Sequence, residues 1–263
     1  MWRMKRNILS FLVGFFVALL GGLIGLGGAE FRLPFLLSLF HFLPLQAVII
    51  NKAISLVVVS SSFFSRLEVI PLQTLLGYWS AVLNLLAGSI IGAWVAADWA
   101  TKVHSNTLQK TIALLLLFIA LVLFTEGYIL NNALPKPHGY LLIFLALFAG
   151  FFIGVVAALM GVAGGELLIP TFVLLYGFDL KLAGSLSLMV SMPTMISAFA
   201  RYSRDKSFLV LKENLSFVLF MVLGSMAGSY VGGSLLLGIA PESLLRILLV
   251  LILLISAYKV WKH

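Results

Sequence analysis

Two glutamates stand in matching phrases of a chain that has nine acidic residues in all. Glu30 lies in GLGGAEFRLP, residues 25–34, and Glu166 in GVAGGELLIP, residues 161–170; each follows a glycine cluster and precedes a proline. A carboxylate in a low-dielectric interior is costly unless it is paired, hydrogen-bonded, hydrated or protonated. One use for it is proton or ligand coupling in a carrier, where the group must load and release a proton near neutral pH. Another is capping, in which each carboxylate accepts hydrogen bonds from backbone N–H groups opened by the glycine break. A third places both at the membrane interface.

Arg32 follows Glu30 by two residues, whereas the matching position in the second phrase is Leu168. The guanidinium could neutralise Glu30, contact an anionic substrate in one half only, or snorkel to a head group. Asn51 and Lys52 lie early in the next apolar run; Ser187 matches Asn51, and Ser55 and Ser191 follow these one helical turn on. A polar stripe at i, i+4 beside a glycine break suits coordination of oxyanion oxygens by neutral donors, helped by half-helix N-termini. Its simpler use is hydrogen bonding between helices. Lys52, followed by AISLVVV, needs an anion, a carboxylate or an aqueous cavity. Pro193, in VSMPTMIS, predicts a kink and is a hinge candidate.

Other chemistry finds no residues to carry it. The chain has no cysteine, and its four histidines are scattered, so no metal-ligand spacing, disulfide or thiol nucleophile arises. GLIGLGG lacks the strand context of a dinucleotide loop, and no hydrolase, zinc-protease or phosphate-loop motif occurs. The expectation is a protein that is not an enzyme and has no cofactor.

The elements that must position these residues are membrane helices. Of 263 residues 62% are hydrophobic and 10% charged, with a mean hydropathy of +1.16, against about a quarter charged in a soluble domain. Apolar segments fall at 8–29, 31–43, 47–65, 74–98, 108–130, 139–161, 167–177, 181–200, 209–237 and 241–261, several of them near the ~20 residues that cross a bilayer. The first five map on the second five. An offset of 136 pairs Glu30 with Glu166, Pro34 with Pro170, and Gly88, Ser89 and Gly92 with Gly224, Ser225 and Gly228. Apolar composition alone would match leucines, but not a glutamate, a proline and a glycine ladder in one register.

The fold expected is therefore an all-α polytopic membrane protein of two homologous halves, 1–132 and 133–263. Segments 31–43 and 167–177 are too short for a comfortable span and read as broken or re-entrant helices, while the Gly88/Gly92 and Gly224/Gly228 pairs read as helix packing. Inverted repeats are preferred because they give access to both membrane faces from one duplicated unit. The basic residues near both chain ends predict cytoplasmic termini. The net charge of +8 fits loops beside anionic lipid and calls for no nucleic-acid partner.

The duplicated glycine-rich phrase ending in proline, the following helix with Asn51 or Ser187, and a length near 260 residues make the whole chain similar to the TauE/SafE family, described as sulfite or sulfonate exporters. The motif falls on Gly25, Gly27, Gly28 and Pro34, and on Gly161, Gly164, Gly165 and Pro170. Ala29 and Ala163 replace frequent glycines, and Glu30, Glu166 and Arg32 look like a subgroup feature. The resemblance implies an integral inner-membrane protein moving small anions such as sulfite, sulfonates or carboxylates by ion or proton coupling. Secondary transport, as export, is the expected function; a membrane scaffold or receptor subunit whose glutamates only cap helices is the alternative. Oligomeric state is not legible in the chain.

Overall fold

The computed structural model describes residues 2–24, 28–67, 70–131, 137–231 and 242–262. All secondary structure in these ranges is helical. The first half holds α1 (Trp2–Ile24), α2 (Ala29–Ser38), α3 (Pro44–Leu67), α4 (Leu72–Leu76), α5 (Trp79–Lys102) and α6 (Ser105–Asn131). The second holds α7 (Gly139–Met160), α8 (Gly165–Tyr176), α9 (Leu180–Tyr202), a 3-10 turn at Lys206–Phe208, α10 (Leu209–Glu213), α11 (Leu215–Tyr230) and α12 (Glu242–Lys262). The starts of α2, α3 and α5 recur 136 residues later at α8, α9 and α11. Among the described residues five helices are long and apolar enough to cross a membrane, six when α10 and α11, bent by 72° at Asn214, count as one. That bend divides the apolar segment 209–237, which the sequence presents as continuous.

Local chemistry sets the ends. Gly28 and Gly164 precede α2 and α8 with φ of 67° and 81°, a left-handed conformation that glycine adopts without a Cβ penalty. Asp179 caps α9, its Oδ1 accepting from the N–H groups of Lys181 and Leu182 at 3.0 and 3.1 Å.

Two glycine seams join the halves. A Cβ on Gly88 would collide with the carbonyl of Leu147 and one on Gly150 with that of Leu85; likewise Gly224 abuts the carbonyl of Phe11 and Gly228 that of Phe15. Thus α5 lies backbone against backbone with α7, and α11 with α1, each pair running parallel. The packing role expected of these glycines is what they perform. In contrast, α6 and α12 run antiparallel: Gln109 Nε2 donates to the Val260 carbonyl at 2.7 Å, while residues 117–124 face 247–254.

The short helices double back along the helices that precede them. Gly28 sits against Val17 and Ala18 of α1, and beyond the far end of α2 the ring of Phe42 meets Arg6, near the start of α1. So α2 returns along α1 toward the side from which α1 began. On the other side of the molecule α8 does the same, from Gly164 beside Ile153 and Ala157 to Phe178 beside Tyr78. Pro34 and Pro170 lie inside these helices, and Pro193 lies within a continuous α9.

Candidate functional site

The two chain breaks meet on α3. Asn51 Nδ2 donates to the carbonyls of Ala29, in the first turn of α2, and Met160, the last residue of α7, both at 2.9 Å. Lys52 Nζ donates to the carbonyls of Ala157 at 2.6 Å and Val162 at 3.0 Å. The chain leaves α7 in a left-handed turn at Gly161, φ 69°, so the Ala157 carbonyl, which already accepts from the Val162 N–H at 3.1 Å, takes Lys52 as a second donor beside the carbonyl of Val162. A cation there meets the negative end of the helix dipole. Lys52 is thereby satisfied by a helix terminus, a partner that the sequence reading of an anion, carboxylate or cavity did not name. The turn also needs its glycine, since a Cβ at Gly161 would strike the carbonyl of Val48.

Arg32 is fully enclosed and spends its three nitrogens on neutral oxygens. Nε donates to Asn51 Oδ1 at 2.8 Å, Nη2 to Ser55 Oγ at 2.7 Å and Nη1 to Ser225 Oγ at 3.0 Å. It makes no ion pair with Glu30 among the described residues, although the Glu30 charge is within electrostatic reach. The charge of this guanidinium is solvated by dipoles and not cancelled by a bonded carboxylate. With five N–H donors and three of these bonds, one N–H on each of Nη1 and Nη2 remains for a further acceptor.

Glu30 and Glu166 each occupy the second position of their short helices, one from each half, and lie within electrostatic reach of one another. Both are buried. Neither oxygen of Glu30 has a hydrogen-bond partner, nor does Oε2 of Glu166. The first carboxyl therefore caps nothing, while that of Glu166 lies close to its own backbone N–H and to the Glu30 carboxyl. Buried carboxyl oxygens without partners are expensive in an apolar interior, and protonation of one group relieves the cost.

Among the described residues the second half lacks the equivalent network. Leu168 stands in place of Arg32. Ser187 Oγ turns back to the Gly184 carbonyl at 2.8 Å, and Ser191 Oγ is buried without a partner. Ser89, the counterpart of Ser225, pairs with Thr194 at 2.6 Å. Thus Arg32, Asn51, Ser55 and Ser225 form one cluster, Lys52 borders it at the α7 terminus, and Ser187 and Ser191 do not join it through hydrogen bonds. Sequence reasoning omitted Ser225 as a site residue and used it only as a repeat marker; a serine between two glycines of a packing face is the signal it carried. Gly25 and Gly27 lie outside the described residues. Gly165 begins α8 with open space at its Cβ position. No group of three or more potential metal ligands occurs among the described residues.

Solvent does not reach this cluster in the conformation seen: Glu30, Asn51 and Lys52 are completely buried. A cavity of about 340 Å³ between α6, α7 and α8, with Leu167 and Pro170 in its wall, is almost wholly apolar. On one face, Asp98 of α5 ties the halves together. It accepts from Arg201 of α9 through Nε at 2.8 Å and Nη2 at 2.6 Å, and from Lys102 at 2.5 Å.

The sequence profile of the family described as "Sulfite exporter TauE/SafE" matches residues 10–260. Among curated proteins the chain is similar to one from Bacillus subtilis (strain 168) described as "Probable membrane transporter protein YunE". The two are 23% identical over 274 residues, covering 97% of each chain. No solved structure matches the chain.

Proposed function

The chain belongs to the TauE/SafE family, a family of membrane transporters and not of enzymes, and on that premise we propose that it exports a small oxyanion, such as sulfite, a sulfonate or a carboxylate, by proton-coupled alternating access. The observation that carries this reading is Arg32: a buried cation with only neutral partners, in reach of the Glu30 carboxyl, neither oxygen of which has a hydrogen-bond partner. The anion takes the two remaining guanidinium N–H groups and is assisted by the Asn51, Ser55 and Ser225 side chains. Glu30 or Glu166 carries the coupled proton, because a charge change there is felt at Arg32 through a low-dielectric interior.

Inverted repeats supply the alternation. Supporting this, α6 runs antiparallel to α12, its counterpart. The two short helices return toward the faces their preceding helices left, so each half makes an odd number of crossings and the second starts on the opposite side. Cytoplasmic termini follow from charge: Lys5, Lys102, Lys110, Arg204, Lys206 and Lys262 lie at the ends of helices that gather on one face, and Lys181 lies at the other end of α9. The alternative, a scaffold with capping glutamates, draws support from Glu166 alone, whose carboxyl lies close to its own N–H.

Proteoliposomes test the proposal. Uptake of sulfite, sulfoacetate, taurine and simple carboxylates is measured with and without an imposed pH gradient, in the native protein and in Glu30→Gln and Glu166→Gln. Gradient-driven accumulation that is lost in a folded variant is the expected result. No flux of any anion would sink the transport reading, and gradient-driven flux intact in both single variants and the double variant would remove the glutamates from coupling.

A further inference from the structure

We propose that the groove between α6 and α12 binds one anionic phospholipid, its acyl chain along the groove and its head-group phosphate on Lys110 and Lys262. The groove, of about 450 Å³, is walled by Leu117, Leu121 and Phe124 of α6 and by Ile247, Leu251 and Leu254 of α12. Lys110 precedes Leu117, Leu121 and Phe124 by 7, 11 and 14 residues, the spacing of one helix face. Tyr258 and Trp261 follow Leu254 by four and seven residues and continue the opposite wall. The apolar channel therefore runs into a basic, aromatic mouth.

At that mouth Lys110 Nζ lies 5.8 Å from the Trp261 ring and Lys262 Nζ 6.0 Å from the Tyr258 ring. Tryptophan and tyrosine concentrate at head-group depth, and a cation over a ring face keeps its N–H donors for a second partner. Neither lysine has an ion-pair partner among the described residues, and the first turn of α6 contains no acid. The distance from Lys110 to Phe124 along the helix is about 21 Å, which matches half of the ~40–45 Å bilayer including head groups. The length fits a single lipid in one leaflet. A second copy of this chain fits less well, since a two-fold contact here would set the same lysines against each other.

Native mass spectrometry of the purified protein, titrated with phosphatidylglycerol or phosphatidylcholine, tests this. Phosphatidylglycerol should be retained at a concentration about tenfold lower or less, and Lys110→Gln with Lys262→Gln should reduce it to the phosphatidylcholine level. Leu121→Trp fills the groove without touching the lysines and should displace both lipids. Equal retention of the two lipids, or unchanged phosphatidylglycerol binding in the double lysine variant, overturns the proposal, as does a dimer formed through this face that phosphatidylglycerol fails to disperse. A second measurement needs no change in groove or lysines: brominated phosphatidylglycerol should quench a fluorescence component that Trp261→Phe removes, and equal quenching by brominated phosphatidylcholine overturns it.

Discussion

Replacing Arg32 by leucine installs in the first half what Leu168 already is in the second. The loss of charge-assisted hydrogen bonds to an anion, each about 1.5–3 kcal/mol, should lower flux tenfold or more in proteoliposomes. Asn51 keeps its two backbone acceptors, so the variant should still purify folded. Flux within twofold of the native rate would remove Arg32 from the substrate path. Arg32→Lys should fare little better, because one ammonium cannot reach Asn51, Ser55 and Ser225 from the positions of three nitrogens. That these residues lie inside apolar runs was legible in the sequence, since a charge there is visible without coordinates. Their partners were not. Ser225 lies 193 positions from Arg32, and Lys52 ends on the Ala157 and Val162 carbonyls, backbone acceptors that no side-chain pattern announces.

Among the elements, the glycine turns can be separated by what surrounds each one. Gly161→Ala combines a positive φ with a collision against the Val48 carbonyl and should destabilise the protein by about 1–3 kcal/mol, read as a lowered thermal midpoint in detergent. Gly165→Ala, in a helix start with open space, should be neutral or stabilising by up to about 1 kcal/mol. Equal effects at the two positions would refute the close-approach explanation. The presence of short helices after glycine clusters could be read from segment length alone. Their direction could not: whether α2 crosses or returns is decided by Gly28 against Val17 and by Arg6 on Phe42, contacts between elements and not within one. The bend at Asn214 was hidden for a similar reason, as the residues on both sides of it are apolar.

At the scale of the molecule, the lack of cysteine makes orientation directly measurable. Single cysteines at exposed Ser203 and Lys262 should react with an impermeant maleimide from the cytoplasmic side and one at Lys181 from the other; a common side for Ser203 and Lys181 would contradict the assigned crossing of α9. The glycine seams reach further. Because α1 nests on α11 and α5 on α7, each half of the chain packs backbone against backbone with the other. Fragments separated between residues 132 and 136 should co-purify when made together and aggregate when made apart; a soluble, helical fragment in isolation would contradict this. The same interlocking bears on ancestry. If the two halves arose by doubling of one unit inserted in opposite senses, as proposed above, that unit would have needed a twin to shield its first and fifth helices, and fusion would record an obligate partnership already in place.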